Sequence, residues 1–98
     1  MSERLPAVYI LSNETRTVLY VGVTSNLIQR IYQHKMSMAV GFCTKYKVKD
    51  LVYFEMHEDM YAAITREKQL KHWRRSWKER LITQQNPGWY DLYPLINR

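Results

Sequence analysis

Two runs decide the fold: Pro6-Ala7-Val8-Tyr9-Ile10-Leu11-Ser12-Asn13 and Thr17-Val18-Leu19-Tyr20-Val21-Gly22-Val23, separated by Glu14-Thr15-Arg16. Both are rich in β-branched and aromatic residues, and the gap is short and polar, which together mark a β-hairpin. If Asn13 and Arg16 close the turn, constant register sets Tyr9 directly opposite Tyr20, with both phenols on one face of the sheet. Paired tyrosines are also ordinary strand formers that keep their hydroxyls at a core edge.

C-terminal to the hairpin, Thr24-Ser25-Asn26 supplies capping side chains, and Gln29 lies three residues after Asn26 as in a capping box. The helix that follows, about 26–38, carries Leu27, Ile28 and Ile31 on one side. Residues 39–49 have no period and read as a loop, and Asp50 to His57 (DLVYFEMH) as a third strand. Glu58-Asp59 places acid where a helix begins, and a long helix runs to about Arg75. Ser76-Trp77-Lys78-Glu79 fits a second capping box, which breaks the helix there and restarts it to about Gln84. Asn86-Pro87-Gly88 is a turn before an aromatic tail. The order β-β-α-β-α-α gives a mixed α/β fold (an α+β sandwich), with a small three-stranded antiparallel sheet flanked by about three helices. One domain, 1–98 with its core at about 6–89, accounts for the whole length.

Composition narrows the function. Apolar residues are 46% and charged residues 24% of the 98, ordinary globular usage that argues against disorder. The longest apolar run, Ala7 to Leu11, is far short of a membrane span, and Met1 to Arg4 leads into no signal-like stretch. Cys43 is alone, so no internal disulfide forms and a cytoplasmic setting is expected. His34, His57 and His72 are scattered without zinc-ligand spacing. Fifteen Lys and Arg against nine Asp and Glu leave a formal charge of +6, which suits a polyanionic partner such as nucleic acid.

Three places break the amphipathic pattern. Arg30 and His34 are four residues apart on one helix face, beside the Leu27–Ile31 stripe, where an arginine can reach a phosphate or pack its stem at a boundary. Glu67 falls on the stripe of Met60, Ala63, Ile64 and Leu70, and a carboxylate facing the core is costly unless it is paired or ligates a cation. Two accounts stay open: an ion pair with Arg30 or Lys71, or single-carboxylate ligation of Mg²⁺ with retained waters. Finally, Arg66, Lys68, Lys71, Arg74, Arg75, Lys78 and Arg80 face only Glu67 and Glu79, with Trp73 and Trp77 between them. Repulsion at that spacing is relieved by a phosphate backbone lying across it. Lys68, Lys71, Arg74, Arg75 and Lys78, with Lys35 and Lys45, are the expected nucleic-acid contacts.

Ala7-Val8-Tyr9, Tyr20-Val21-Gly22 (ten residues between the tyrosines), Arg30 eight residues after Gly22, His34, Glu67 inside AAITREKQLKHWRR and Asn86 before Pro87 occur in order. This series resembles the GIY-YIG nuclease superfamily, specifically its small single-domain bacterial members related to the N-terminal nuclease domain of the DNA-repair excinuclease. Ala7 stands for the first glycine of that motif and Val21 for its second isoleucine. The resemblance implies a metal-dependent DNA endonuclease in DNA repair or processing. It assigns Tyr9 and Tyr20 to the two tyrosines, one of which activates water, Arg30 to the phosphate, and Glu67 to one divalent metal ion, Mg²⁺ or Mn²⁺. His34 matches a histidine found in part of the family, and Asn86 the asparagine that helps order the site. Lys45 or Tyr46 falls where members carry a further tyrosine, histidine or lysine, and Tyr46 is taken for that place. RNA stays open as a substrate, as does a homodimer or a protein partner that supplies specificity. The rival expectations are a non-catalytic nucleic-acid-binding module and a nuclease that depends on a partner for its substrate.

Overall fold

A computed structural model describes residues 5–36 and 45–97. Three strands, β1 (Ala7–Ser12), β2 (Leu19–Thr24) and β3 (Asp50–Met56), form an antiparallel sheet in the order β2-β1-β3. Helix α1 (Leu27–Lys35) follows β2, and α2 (Met60–His72) and α3 (Arg75–Gln85) follow β3. The expected order is therefore found among the described residues, with a short helix α4 (Tyr93–Ile96) added in the aromatic tail, and residues 45–46, expected in a loop, are helical. The end of the expected first helix and much of the expected loop, 37–44, lie outside the described residues.

All six residues of β1 are buried because the middle strand is covered on both faces. Strand alternation sends Ala7, Tyr9 and Leu11 to one face, where they pack with Leu27 and Ile31 of α1 and with Leu51 and Leu92. Val8 and Ile10 go to the other, against Ala63 and Leu70 of α2 and Ile82 of α3. Helix α2 packs on β2 and β1, whereas α3 packs on β3. Among the described residues no helix is long and apolar enough to cross a membrane.

The hairpin register differs from the constant-register expectation by two residues. Tyr9 pairs with Gly22, and Tyr20 with Leu11. The turn does close at Asn13–Arg16, with the Arg16 amide donating to the Asn13 carbonyl at 3.1 Å. Thr17 and Val18, however, stay out of the ladder, because the Val18 amide donates to Asn13 Oδ1 at 2.9 Å. Arg16, held at φ 62°, then pins the loop by donating to Asp50 Oδ2 (2.8 Å) and to the Trp89 carbonyl (2.8 Å). A slip of two preserves the faces, so the tyrosines still share one, but diagonally.

The helix break also moves. Asn26 caps α1 as expected, accepting from the Gln29 amide at 3.3 Å. Ser76 caps nothing, since it lies inside the first turn of α3. Trp73 and Arg74 instead take extended backbone, and Trp73 turns toward the α2–α3 face of the core, with Trp77 edge-on to it at 5.9 Å. Burial of an indole outweighs the local capping signal.

The outer edge of β3 is covered by the C-terminal segment. Gln85 both donates to the Phe54 carbonyl (2.8 Å) and accepts from its amide (3.1 Å). Asn86 Nδ2 donates to the Val52 carbonyl at 3.1 Å, and Val52 is the bulge residue skipped between the Ile10–Tyr53 and Leu11–Leu51 pairs. Asp91 Oδ1 accepts from the Leu51 amide at 3.0 Å, and the Leu92 amide donates to the Leu51 carbonyl at 2.7 Å.

Candidate active site

Three aromatic rings meet on the α1 side of the sheet. Ring centroids lie 6.4 Å apart for Tyr9–Tyr20, 6.1 Å for Tyr9–His34 and 6.2 Å for Tyr20–His34. Tyr9 comes from the middle strand and is fully buried, Tyr20 is half-buried on the edge strand, and His34 is supplied by the last turn of α1. The approach of Tyr9 to β2 depends on Gly22. A Cβ built on that glycine would stand 2.5 Å from the Tyr9 hydroxyl and 2.9 Å from Cε1, so the phenol occupies the space a side chain would need. This steric role is readable in the sequence only as a glycine inside a strand, where close backbone approach is one of the usual reasons.

The Tyr9 hydroxyl lies 3.4 Å from His34 Nε2, a long contact. His34 Nδ1 is buried and makes no hydrogen bond. Burial, and secondarily the Arg30 charge one turn earlier on α1, hold the imidazole below its usual value near 6.5. His34 is therefore neutral at pH 7, and its Nε2 can accept the phenolic proton when Nδ1 carries the hydrogen. Arg30 is exposed, and among the described residues its guanidinium has no ion-pair partner.

Glu67 is only 9% exposed in α2 between Ala63 and Leu70, as the stripe requires. Of the two ion pairs open to it, the structure forms the one with Lys71, with Nζ 2.7 Å from Oε2. The Lys71 ammonium is raised above its ordinary value, first by this hydrogen bond, then by the carboxylate charge, with a smaller contribution from Tyr20 and with burial opposing. The neighbours of Glu67 on α2 pack on the opposite sheet face from Tyr9. Helix α2 lies against β2, the edge strand that carries Tyr20.

Among the described residues no group of three or more His, Cys, Asp or Glu gathers in metal-ligating fashion. A lone carboxylate fits a hard divalent ion that keeps most of its water, and the Lys71 ammonium already occupies the place of a cation on it. The Lys71 side chain is about half exposed, 49%, so it can swing into solvent and vacate the oxygen.

Other expected site residues lie elsewhere. Asn86 is buried at the end of α3, where it bonds to Val52 and, at 2.8 Å and 3.2 Å, to the backbone of Tyr90. That is beside β3, across the sheet from Tyr20, so its amide braces the fold. Tyr46 is exposed and lines a groove with Asn13, Thr15 and Lys49 at the hairpin tip. Lys35 is committed to Asp91 and the Lys49 carbonyl, with Asp50 4.0 Å away, and its ammonium lies over the Tyr93 ring at 5.4 Å. Arg75 bonds Glu79 at 2.8 Å and the carbonyls of Thr17 and Arg16 at 2.9 and 2.7 Å, clamping α3 to the hairpin loop. These two cations serve the fold. Lys78 is half-buried, and desolvation followed by the Arg75 charge lowers its ammonium. Lys45, Lys68 and Arg74 remain exposed.

The family model for the GIY-YIG catalytic domain matches residues 5–80. A UPF0213 protein of Natronomonas pharaonis is 32% identical over 78 residues, covering 80% of this chain and 91% of that relative. The solution NMR structure of the UPF0213 protein BH0048 from Bacillus halodurans shares the fold, with a TM-score of 0.57 at 23% identity over 92% of this chain and 95% of that one.

Proposed function

Because the chain belongs to the GIY-YIG nuclease family, we propose that it is a divalent-metal-dependent endonuclease that hydrolyses DNA phosphodiesters in a repair or processing step. The observation that carries this reading is the convergence of Tyr9, Tyr20 and His34, ring centroids within 6.4 Å of one another, beside a helix that holds the buried carboxylate Glu67 and packs against the Tyr20 strand. Phosphodiester hydrolysis needs a nucleophilic water, charge stabilisation during transfer, and help for the departing oxygen.

Of the two phenols Tyr20 reaches solvent, so Tyr20 meets the attacking water and Tyr9 supports it from behind. A free phenol has a pKa near 10 and acts as a base at neutral pH only beside positive charge. Lys71, on the helix that packs against the Tyr20 strand, is a cation available for that role. His34, neutral and sealed, fixes the Tyr9 hydroxyl. Arg30, exposed on α1, offers a planar fork of donors to the phosphate. Glu67 is the residue to hold one Mg²⁺ or Mn²⁺, which when bound supplies charge to the phosphate and the leaving oxygen. Lys68 and Arg74 extend the contact to neighbouring phosphates. Selectivity for long sites is left to a second copy or a partner protein.

Nicking of supercoiled and branched DNA across a series of divalent ions tests this, with Glu67→Gln, Arg30→Ala and Tyr20→Phe in parallel. Each substitution should lower the rate by about 10²- to 10⁴-fold with the circular dichroism spectrum unchanged. Cleavage that persists in Glu67→Gln or in EDTA overturns the metal assignment. The Lys71 ion pair favours a second reading, a carboxylate that serves the fold in a binding module. Salt-sensitive DNA binding without cleavage in any metal would establish that instead.

A further inference from the structure

The break between α2 and α3 opens a cleft of about 260 Å³ lined by Trp73, Trp77, Arg80, Leu81 and Gln84. It is separate from the tyrosine–histidine cluster, since Trp73 and Leu81 pack on the opposite face of the sheet. Trp77 remains 45% exposed although its ring meets Trp73 edge-on at 5.9 Å and carries the Arg74 guanidinium at 5.7 Å. The Arg66 guanidinium sits over Trp73 at 5.1 Å and is itself tied to Glu55. The acids of this segment are already spent, Glu67 on Lys71 and Glu79 on Arg75. Lys68, Arg74 and Arg80 have no ion-pair partner among the described residues. An open indole under an uncompensated positive rim fits a flat apolar ring tethered to an anion.

We propose that this cleft receives an unpaired base of a DNA strand, stacked against Trp77, with the flanking phosphates on Arg74 and Arg80. Its volume is below the roughly 300–1,000 Å³ of sites for drug-sized molecules and suits a single heterocycle. Every base has a π-face, so stacking on tryptophan beside arginine binds single strands without demanding a sequence. The amide of Gln84 offers one donor group and one acceptor to the base edge. Trp73, one wall of the cleft, caps the C-terminus of α2, the helix that carries Glu67. The inference rests on the nuclease reading and deepens it. The preferred substrate has unpaired bases near the cut, as frayed ends and branch points do.

The test is binding of the full chain, in EDTA to prevent cutting, to a labelled oligothymidine of about 12 nucleotides and to a blunt duplex of the same length. Tryptophan fluorescence should be quenched by the single strand. Trp77→Ala should weaken oligothymidine binding about 5- to 100-fold and duplex binding less than about 2-fold, while Trp77→Phe keeps most of the affinity. Trp77 is half exposed, so the variants should fold, and their thermal melts check this. Equal binding of Trp77→Ala and the unaltered chain to oligothymidine overturns the proposal. So does an equal loss for both probes, or a sedimentation shift showing that Trp77 holds two copies together. The two readings fail separately: Trp77-dependent strand binding without cleavage in any metal removes the nuclease, whereas metal-dependent nicking with Trp77-independent strand binding removes the cleft.

Discussion

Gly22→Ala perturbs the candidate site without removing a polar atom from it. The added methyl would stand 2.5 Å from the Tyr9 hydroxyl, and ordinary contact begins near 3.4 Å, so the phenol must retreat by about 1 Å. Tyr9 is fully buried between Gly22 and α1, so the ring moves only by disturbing Leu27, Ile31 or His34. Overpacking of this kind costs about 1–3 kcal/mol, or about 4–20 °C in Tm for a domain of this size. A displacement of about 1 Å at a reacting centre costs about 10²-fold in rate. Gly22→Ala should therefore melt earlier and nick DNA about 10²-fold more slowly even at temperatures where it is fully folded. A double-mutant cycle isolates the cause: in a Tyr9→Ala background the methyl meets no ring, so the stability penalty of Gly22→Ala should shrink by about 1–3 kcal/mol. An equal penalty in both backgrounds would refute the reasoning, as would wild-type nicking by the single variant.

Two further outcomes follow from the same geometry. His34 is held below the ordinary imidazole value, so the unfolded chain takes up a proton near pH 6.5 that the folded chain refuses; stability is full above that pH and is lost as pH falls below it. Tm should thus decline between about pH 7.5 and about pH 5.5 more steeply for the unaltered chain than for His34→Gln, and matching slopes would remove His34 as the cause. Asn86→Ala strips three backbone hydrogen bonds beside β3, the one to Val52 buried, and should cost about 1–3 kcal/mol, while nicking well below its melting point stays within about 3-fold; a loss near that of Arg30→Ala would return Asn86 to the chemistry.

The hairpin shows how much of this fold is legible in the residues. Apolar alternation in PAVYILSN and TVLYVGV sets the faces, and faces survive an even slip, so the meeting of the two phenols could be read although their pairing could not. What shifted the ladder was a single side-chain oxygen, Asn13 Oδ1, capturing the Val18 amide, and no periodicity encodes that choice. The Ser76 capping signal was locally sound but yielded to the burial of Trp73, a tertiary effect. At the site, Glu67 stood out because a carboxylate interrupts an apolar stripe, yet spacing alone left Arg30 and Lys71 equally available to it. Lys35 and Arg75 counted as nucleic-acid contacts in the sequence. Their partners, Asp91 and the carbonyls of Arg16 and Thr17, are 56 to 59 residues away, beyond any local pattern.

The row of bonds from Gln85, Asn86, Asp91 and Leu92 along β3 has a bearing on how the molecule behaves in company. A bare outer strand is a template on which another chain can grow into fibre. Here the C-terminal segment acts as a selvedge, finishing the cloth so that it neither unravels nor takes another thread. A chain trimmed before Gln85 would keep its phenols, its imidazole and its carboxylate, and would present that raw margin to every neighbour it met.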